Sequence, residues 1–103
     1  MFKAIKKIFG NATNYKQLVQ DGAIIVDVRT GPEFLSGHIN GAINIPLDFI
    51  TTRIAELKKS NRPIITCCRS GARSGMARAA LSAAGLQAYN GGAWDSLDKK
   101  INW

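Results

Sequence analysis

An α/β layer structure with a mainly parallel central sheet flanked by helices is the fold this sequence predicts. Three observations carry that prediction. Short apolar, β-branched runs recur at residues 23–28, 42–45 and 63–67, with a brief further run at 87–90. Stretches with helical spacing separate them, which is the alternation expected of a parallel sheet. The run at 23–28 (Ala-Ile-Ile-Val-Asp-Val) is nearly continuous, as in a strand covered on both faces. At 103 residues the chain is one domain, without repeats, low-complexity segments or linkers.

Taken in order, residues 1–10 set Phe2, Ile5, Ile8 and Phe9 against Lys3, Lys6 and Lys7. This is a short amphipathic helix, expected to pack on the domain or fray rather than meet a membrane. It is set apart as an N-terminal extension to a domain over 11–103. Residues 15–20 form a short helix closed by Asp21-Gly22. In the strand at 23–28, Asp27 interrupts the apolar run near its C-terminal end. Thr30-Gly31-Pro32-Glu33 matches a capping box with proline in the first turn, so a short helix starts there. The loop 37–42 is flanked by glycines and leads to the strand 42–45, which Pro46 ends. Leu47, Ile50, Ile54 and Leu57 then fall at helical spacing, with Lys58-Lys59 suited to the helix C-terminus. After the strand at 63–67 a helix begins near Ser74. It buries Ala77, Ala80, Leu81 and Ala84, and Gly85 ends it. Gly91-Gly92 is expected to be a turn after the last strand, and residues 93–97 a terminal helix anchored by Trp94.

Composition narrows the function. Hydrophobic residues make up 46% and charged ones 20%, as in a folded globular chain. No apolar run approaches the roughly 20 residues that span a bilayer, and no secretory signal is evident. The two cysteines are adjacent and cannot form a disulfide framework, so a reducing cytoplasm fits best, with a mature periplasmic form left open. The net charge of +7 is spread along the chain without interleaved aromatic residues. It reads as a solvated basic face that steers small anions, not as a nucleic-acid surface.

The chemistry centres on residues 64–74, Ile-Ile-Thr-Cys-Cys-Arg-Ser-Gly-Ala-Arg-Ser. A strand, a tight cationic loop and a helix N-terminus follow one another, and this order aims backbone N–H groups at a bound anion. A cysteine at the mouth of such a loop holds its sulfur as thiolate at neutral pH. Neighbouring strand residues point to opposite sides, so Cys67 is expected to face away from the loop and pack in the core.

Three motifs resemble the rhodanese family, specifically its single-domain sulfurtransferases: Cys-Arg-Ser-Gly-Ala-Arg-Ser at 68–74; Asp27-Val-Arg29 with Glu33-Phe34 and the 37–42 loop; and Asn-Gly-Gly-Ala-Trp at 90–94. They occur in the family's order and span most of the chain. Asn40 stands where the family usually has proline, and Cys67 where an aromatic residue is common. The resemblance implies a rhodanese-like three-layer fold and sulfane-sulfur transfer through a persulfide on Cys68. It implies a small anionic donor such as thiosulfate, a thiol or cyanide acceptor, a protein sulfur acceptor as a further option, and no metal or organic cofactor. The N–H groups of Arg69, Ser70, Gly71, Ala72 and Arg73 would line the anion site, with Arg69 and Arg73 orienting the donor. Arg73 has bridging an acid as its alternative.

Asp27, Arg29, His38 and Cys67 are supporting candidates. For Asp27 and Arg29 a salt bridge that fixes the loops competes with a reach into the site. His38 is read as a structural hydrogen-bonding group in its turn before a general base, and Cys67 as core before a resolving thiol. Two other functions compete. A dedicated persulfide carrier or docking module shares the same loop. A cysteine phosphatase or arsenate reductase would use Cys67, from which Arg73 lies six residues on, but the usual preceding histidine is replaced by Thr66.

Overall fold

The computed structural model describes residues 13–103. The amphipathic segment at 1–10 lies outside the described residues. Four parallel strands make the sheet: β1 (Ile24–Asp27), β2 (Ile43–Asn44), β3 (Ile64–Cys68) and β4 (Ala88–Ala93), in the order β2-β1-β3-β4. The helices are α1 (Tyr15–Gln20), α2 (Gly31–Leu35), α3 (Ile54–Ser60), α4 (Ala72–Ala83) and α5 (Trp94–Asn102), with a 3-10 helix over Leu47–Arg53.

The strands alternate their side chains between two apolar layers, as the pleat requires. On one side Val26, Val28, Ile64 and Cys68 pack with Ile50, Leu57, Ala77 and Leu81 from the 3-10 helix, α3 and α4. On the other, Ile25, Ile65 and Cys67 pack with Leu97 and Ile101 of α5, and Tyr15, Leu18 and Val19 of α1 close that layer. Small residues let α4 lie close to the sheet; Ala77 and Leu81 are buried, while Ala80 and Ala84 are half-buried. Helices on both faces put every strand's C-terminal end at one edge, where ligands bind in such sheets.

Four expectations are corrected. The helix after β3 starts at Ala72, two residues before Ser74, because Gly71 takes the left-handed conformation (φ 102°) and caps it. The segment from Leu47 winds as 3-10 before becoming α-helical at Ile54, with the Thr52 hydroxyl donating to the Phe49 carbonyl at 2.6 Å. The terminal helix runs on to Asn102, because Ile101 sits one turn after Leu97 on the buried face. Finally, Gly91-Gly92 is no turn. Both residues belong to β4, in which Thr66 pairs with Asn90 and Cys68 with Ala93, so a bulge lies opposite Cys67. A bulge asks for the same glycines as a turn, hence the misreading.

At Gly91 the constraint is space. A Cβ there would lie 2.8 Å from Leu97 Cδ2, 2.9 Å from Ile65 Cγ2 and 2.9 Å from the Thr66 carbonyl oxygen. Gly91→Ala is therefore expected to destabilise the fold by about 1–3 kcal/mol, measured by denaturant unfolding. An unchanged midpoint would show that the bulge tolerates a side chain.

Candidate functional site

β3 ends at Cys68, and the chain then turns through Arg69, Ser70 and Gly71 into α4. The left-handed Gly71 reverses the backbone so that N–H groups turn inward. The Gly71 N–H donates to the Cys68 sulfur at 2.9 Å and the Ser74 N–H at 3.4 Å, and the Ser74 hydroxyl oxygen lies 3.2 Å from it. Ser74 is in the first turn of α4, where backbone N–H groups have no intrahelical partner. Cys68 is only 1% exposed, so the sulfur sits beneath the loop rather than at its mouth. Burial pushes its thiol up, but the Ser74 hydroxyl and the N–H groups of Ser74, Gly71 and Ser70 outweigh burial and hold it below the ordinary thiol value. The donors are thus Ser70 and Gly71 from the expected run 69–73, and Ser74, one residue beyond it.

Cys67 faces the other layer, packed with Ile25, Ile65 and Leu97. Burial, and then the nearby Asp27 carboxylate, push its thiol well above the ordinary value. One strand therefore carries two thiols of opposite character, separated by the pleat.

Asp27 and Arg29 form a buried pair on the Cys67 side. Arg29 Nη2 meets Asp27 Oδ2 at 2.7 Å, and Arg29 also donates to the carbonyls of Glu33 and Gly37 at 3.1 and 2.7 Å. Its guanidinium lies 4.8 Å from the centre of the Trp94 ring. The pair ties β1 to α2, the Gly37 loop and α5, and it does not reach the Cys68 sulfur. His38 Nδ1–H donates to the Phe34 carbonyl at 2.8 Å, and the imidazole stacks on the Phe34 ring with centroids 3.7 Å apart. These contacts hold one face and one ring nitrogen of His38 within its own turn.

Arg73 spends its fork on Glu33, Nη1 to Oε1 at 2.7 Å and Nη2 to Oε2 at 3.0 Å. The same Glu33 carboxylate closes the capping box of α2, accepting from the Thr30 N–H at 2.9 Å. One carboxylate thus joins the starts of α2 and α4. Arg69 is exposed and lines an open cleft of about 250 Å³ with Arg29, Glu33, Ser36 and Trp94. A second hollow of about 270 Å³ lies at the opposite sheet edge, between Lys58, Arg62 and Gly85, away from any cysteine. Among the described residues no three His, Cys, Asp or Glu side chains converge on one point. None of the described helices is long and apolar enough to cross a membrane.

Ser74, Asn90 and Glu33 are the residues that sequence reasoning missed. For Ser74 the signal is the helix start: with α4 beginning at Ala72, its N–H falls in the first turn and has no intrahelical partner. Asn90 and Glu33 lie in motifs quoted above, but no local pattern shows their contacts with the loop, which are long-range.

The chain matches the family model for the rhodanese-like domain over residues 11–95. A sulfurtransferase of Allochromatium vinosum is 39% identical over 54 residues, covering 52% of this chain and 50% of that protein. The thiosulfate sulfurtransferase GlpE of Pseudomonas fluorescens is 40% identical over 74 residues, covering 67% of this chain and 62% of that one. The chain therefore spans about half to three fifths of the length of these curated relatives. Among solved structures, a rhodanese with anions from E. coli superposes with a TM-score of 0.67 at 32% identity, covering 72% of this chain and 89% of that one.

The Arg73 guanidinium, with the Thr30 N–H, holds the Glu33 carboxyl down to about 2 from its ordinary 4.5. A depressed carboxyl adds stability that is fully present above the ordinary value and is lost as pH falls toward the folded one. The thermal midpoint of wild type is therefore expected to exceed that of Glu33→Gln near neutrality, and the gap to close as pH falls from about 4.5 to about 2. A gap independent of pH would contradict the pairing.

Proposed function

Because the chain belongs to the rhodanese-like domain family, we propose that it is a sulfurtransferase that works through a persulfide on Cys68. It moves a sulfane sulfur from thiosulfate or a persulfide donor to a thiol or cyanide acceptor. The observation that carries this reading is the convergence of the Gly71 N–H, the Ser74 N–H and the Ser74 hydroxyl on the Cys68 sulfur. Those groups favour the ionised sulfur, and the thiolate is the nucleophilic form.

In the first half-reaction the Cys68 thiolate attacks the outer sulfur of thiosulfate. The donor's S–S bond breaks, its electron pair leaves on sulfite, and a Cys68 persulfide anion remains. In the second, the acceptor anion attacks the outer sulfur, and the pair of the broken bond returns to the Cys68 sulfur as thiolate. Charge balances in both steps without a proton being taken up or released. Negative charge stays under the loop throughout, so the backbone N–H donors, fixed before the reaction, need not reorganise during it. Arg69, exposed at the cleft, supplies positive potential for a dianionic donor. Arg73 contributes through its pair with Glu33, which fixes the first turn of α4.

The phosphatase reading would need Cys67 as nucleophile. Its burial in the opposite layer and its raised thiol oppose that role. Thiosulfate–cyanide turnover is expected in wild type and in Cys67→Ala, and to fall more than about a thousandfold in Cys68→Ser. Loss in Cys67→Ala alone, with aryl-phosphate hydrolysis by the wild type, would overturn the assignment.

A further inference from the structure

Ser74 has one hydroxyl proton and two neighbours that compete for it. Its oxygen lies 2.7 Å from Asn90 Oδ1 and 3.2 Å from the Cys68 sulfur. An amide oxygen can only accept, so the contact with Asn90 needs the Ser74 proton. The amide cannot turn over to relieve this. Its Nδ2 donates to the Gly71 carbonyl at 3.1 Å, and its Oδ1 accepts from the Gly92 N–H at 3.0 Å. A flipped amide would set oxygen against carbonyl and N–H against N–H.

With its proton on the Asn90 side, Ser74 shows only lone pairs to Cys68. That arrangement suits a protonated sulfur, or one bearing no charge, and repels a thiolate. With the proton turned the other way, the thiolate gains a donor and Asn90 Oδ1 keeps its bond from Gly92. The two oxygens, 2.7 Å apart, then lose the proton between them and must ease apart. Neither state strands a polar atom. Ser74 is fully buried, so bulk water does not compete for the proton. The Thr66 hydroxyl donates to the Ser74 carbonyl at 2.8 Å and fixes the backbone, which leaves the O–H rotor as the moving part.

We propose that Asn90 is a positioning residue for the Cys68 chemistry: it accepts the hydrogen bond of the Ser74 hydroxyl while charge sits on the outer sulfur of a persulfide, and releases it when charge returns to the Cys68 sulfur. For its persulfide state this rests on the sulfurtransferase reading above. In the persulfide the inner sulfur is neutral and a weak acceptor, so the hydroxyl turns to Asn90. When an acceptor removes the outer sulfur, the electron pair of the broken bond arrives on the Cys68 sulfur. A rotation of the hydroxyl about its C–O bond then meets the developing charge. No proton passes between heavy atoms, and atoms and charge balance as in the half-reactions above.

The test is a titration of the Cys68 thiolate by its ultraviolet absorbance, in a Cys67→Ala background so that one cysteine reports, with folding of each variant checked by circular dichroism. Ser74→Ala removes the donor and is expected to raise the midpoint by about one pH unit. Asn90→Ala removes the competitor and is expected to lower it. In the double variant the Asn90 effect is expected to vanish, because there is no proton left to compete for. Asn90→Ser serves if Asn90→Ala does not fold: the shorter side chain no longer reaches Ser74, so the midpoint falls, and by less when Ser74 is alanine. The charged groups around the loop, Arg69, Arg73 with Glu33 and Arg29 with Asp27, are unchanged in every variant. A midpoint that rises in Asn90→Ala, or falls equally with and without the Ser74 hydroxyl, overturns the proposal. The titration needs no sulfur donor, so opposite-signed shifts in a protein that takes sulfur from neither thiosulfate nor a persulfide donor would establish the competition while refuting the sulfurtransferase reading.

Discussion

A sulfur anion enclosed by protein has lost its water, and the N–H and O–H groups turned toward it must replace that water. Every notable feature at the end of β3 answers to this requirement. Cys68 is almost entirely enclosed, and the groups that face it come from the short path between Ser70 and Ser74. Such a path works only if the backbone reverses sharply, which Gly71 allows, and if a helix begins at once, so that its first N–H groups remain unspent. Cys67 supplies the internal contrast. One residue away, across the pleat, the same side chain has apolar neighbours and the carboxylate of Asp27, and its thiol is driven the other way.

The remainder of the fold holds this geometry still. The Glu33 carboxylate closes the cap of α2 and grips Arg73, so two helix starts move as one. Thr66 reaches from β3 to the Ser74 carbonyl, and Asn90 reaches from β4 to Gly71, Ser74 and Gly92. The bulge at Gly91-Gly92 brings Asn90 within reach of the loop while Ala93 still pairs with Cys68. On the far side, Arg29 spans Asp27, two carbonyls and the Trp94 ring. A buried arginine and aspartate are costly unless fully paired, and among the described residues no buried side-chain nitrogen or oxygen lacks a partner.

Much of this was legible in the residues. The layer order, the parallel strands and the opposed directions of Cys67 and Cys68 all follow from local pattern. What local pattern could not supply is long-range. Glu33 shows itself as a cap because Thr30 is three residues away, but Arg73 is forty residues on. Asn90 looks like the edge of a turn, and only the register of β3 against β4 places it beside Ser74. The depth of the Cys68 sulfur is not legible in the sequence for a related reason. A loop sequence tells which groups can turn inward, whereas packing from the 3-10 helix and α4 decides how much of the sulfur they cover.

The account rests on an ionised sulfur at position 68 that can carry one more sulfur atom. Mass spectrometry of the intact protein after brief exposure to thiosulfate tests this without reference to turnover. The prediction is a single added sulfur, mapped to the peptide bearing Cys68, removed by cyanide and absent in Cys68→Ser. An unmodified Cys68, or an added sulfur that persists in Cys68→Ser, would contradict it.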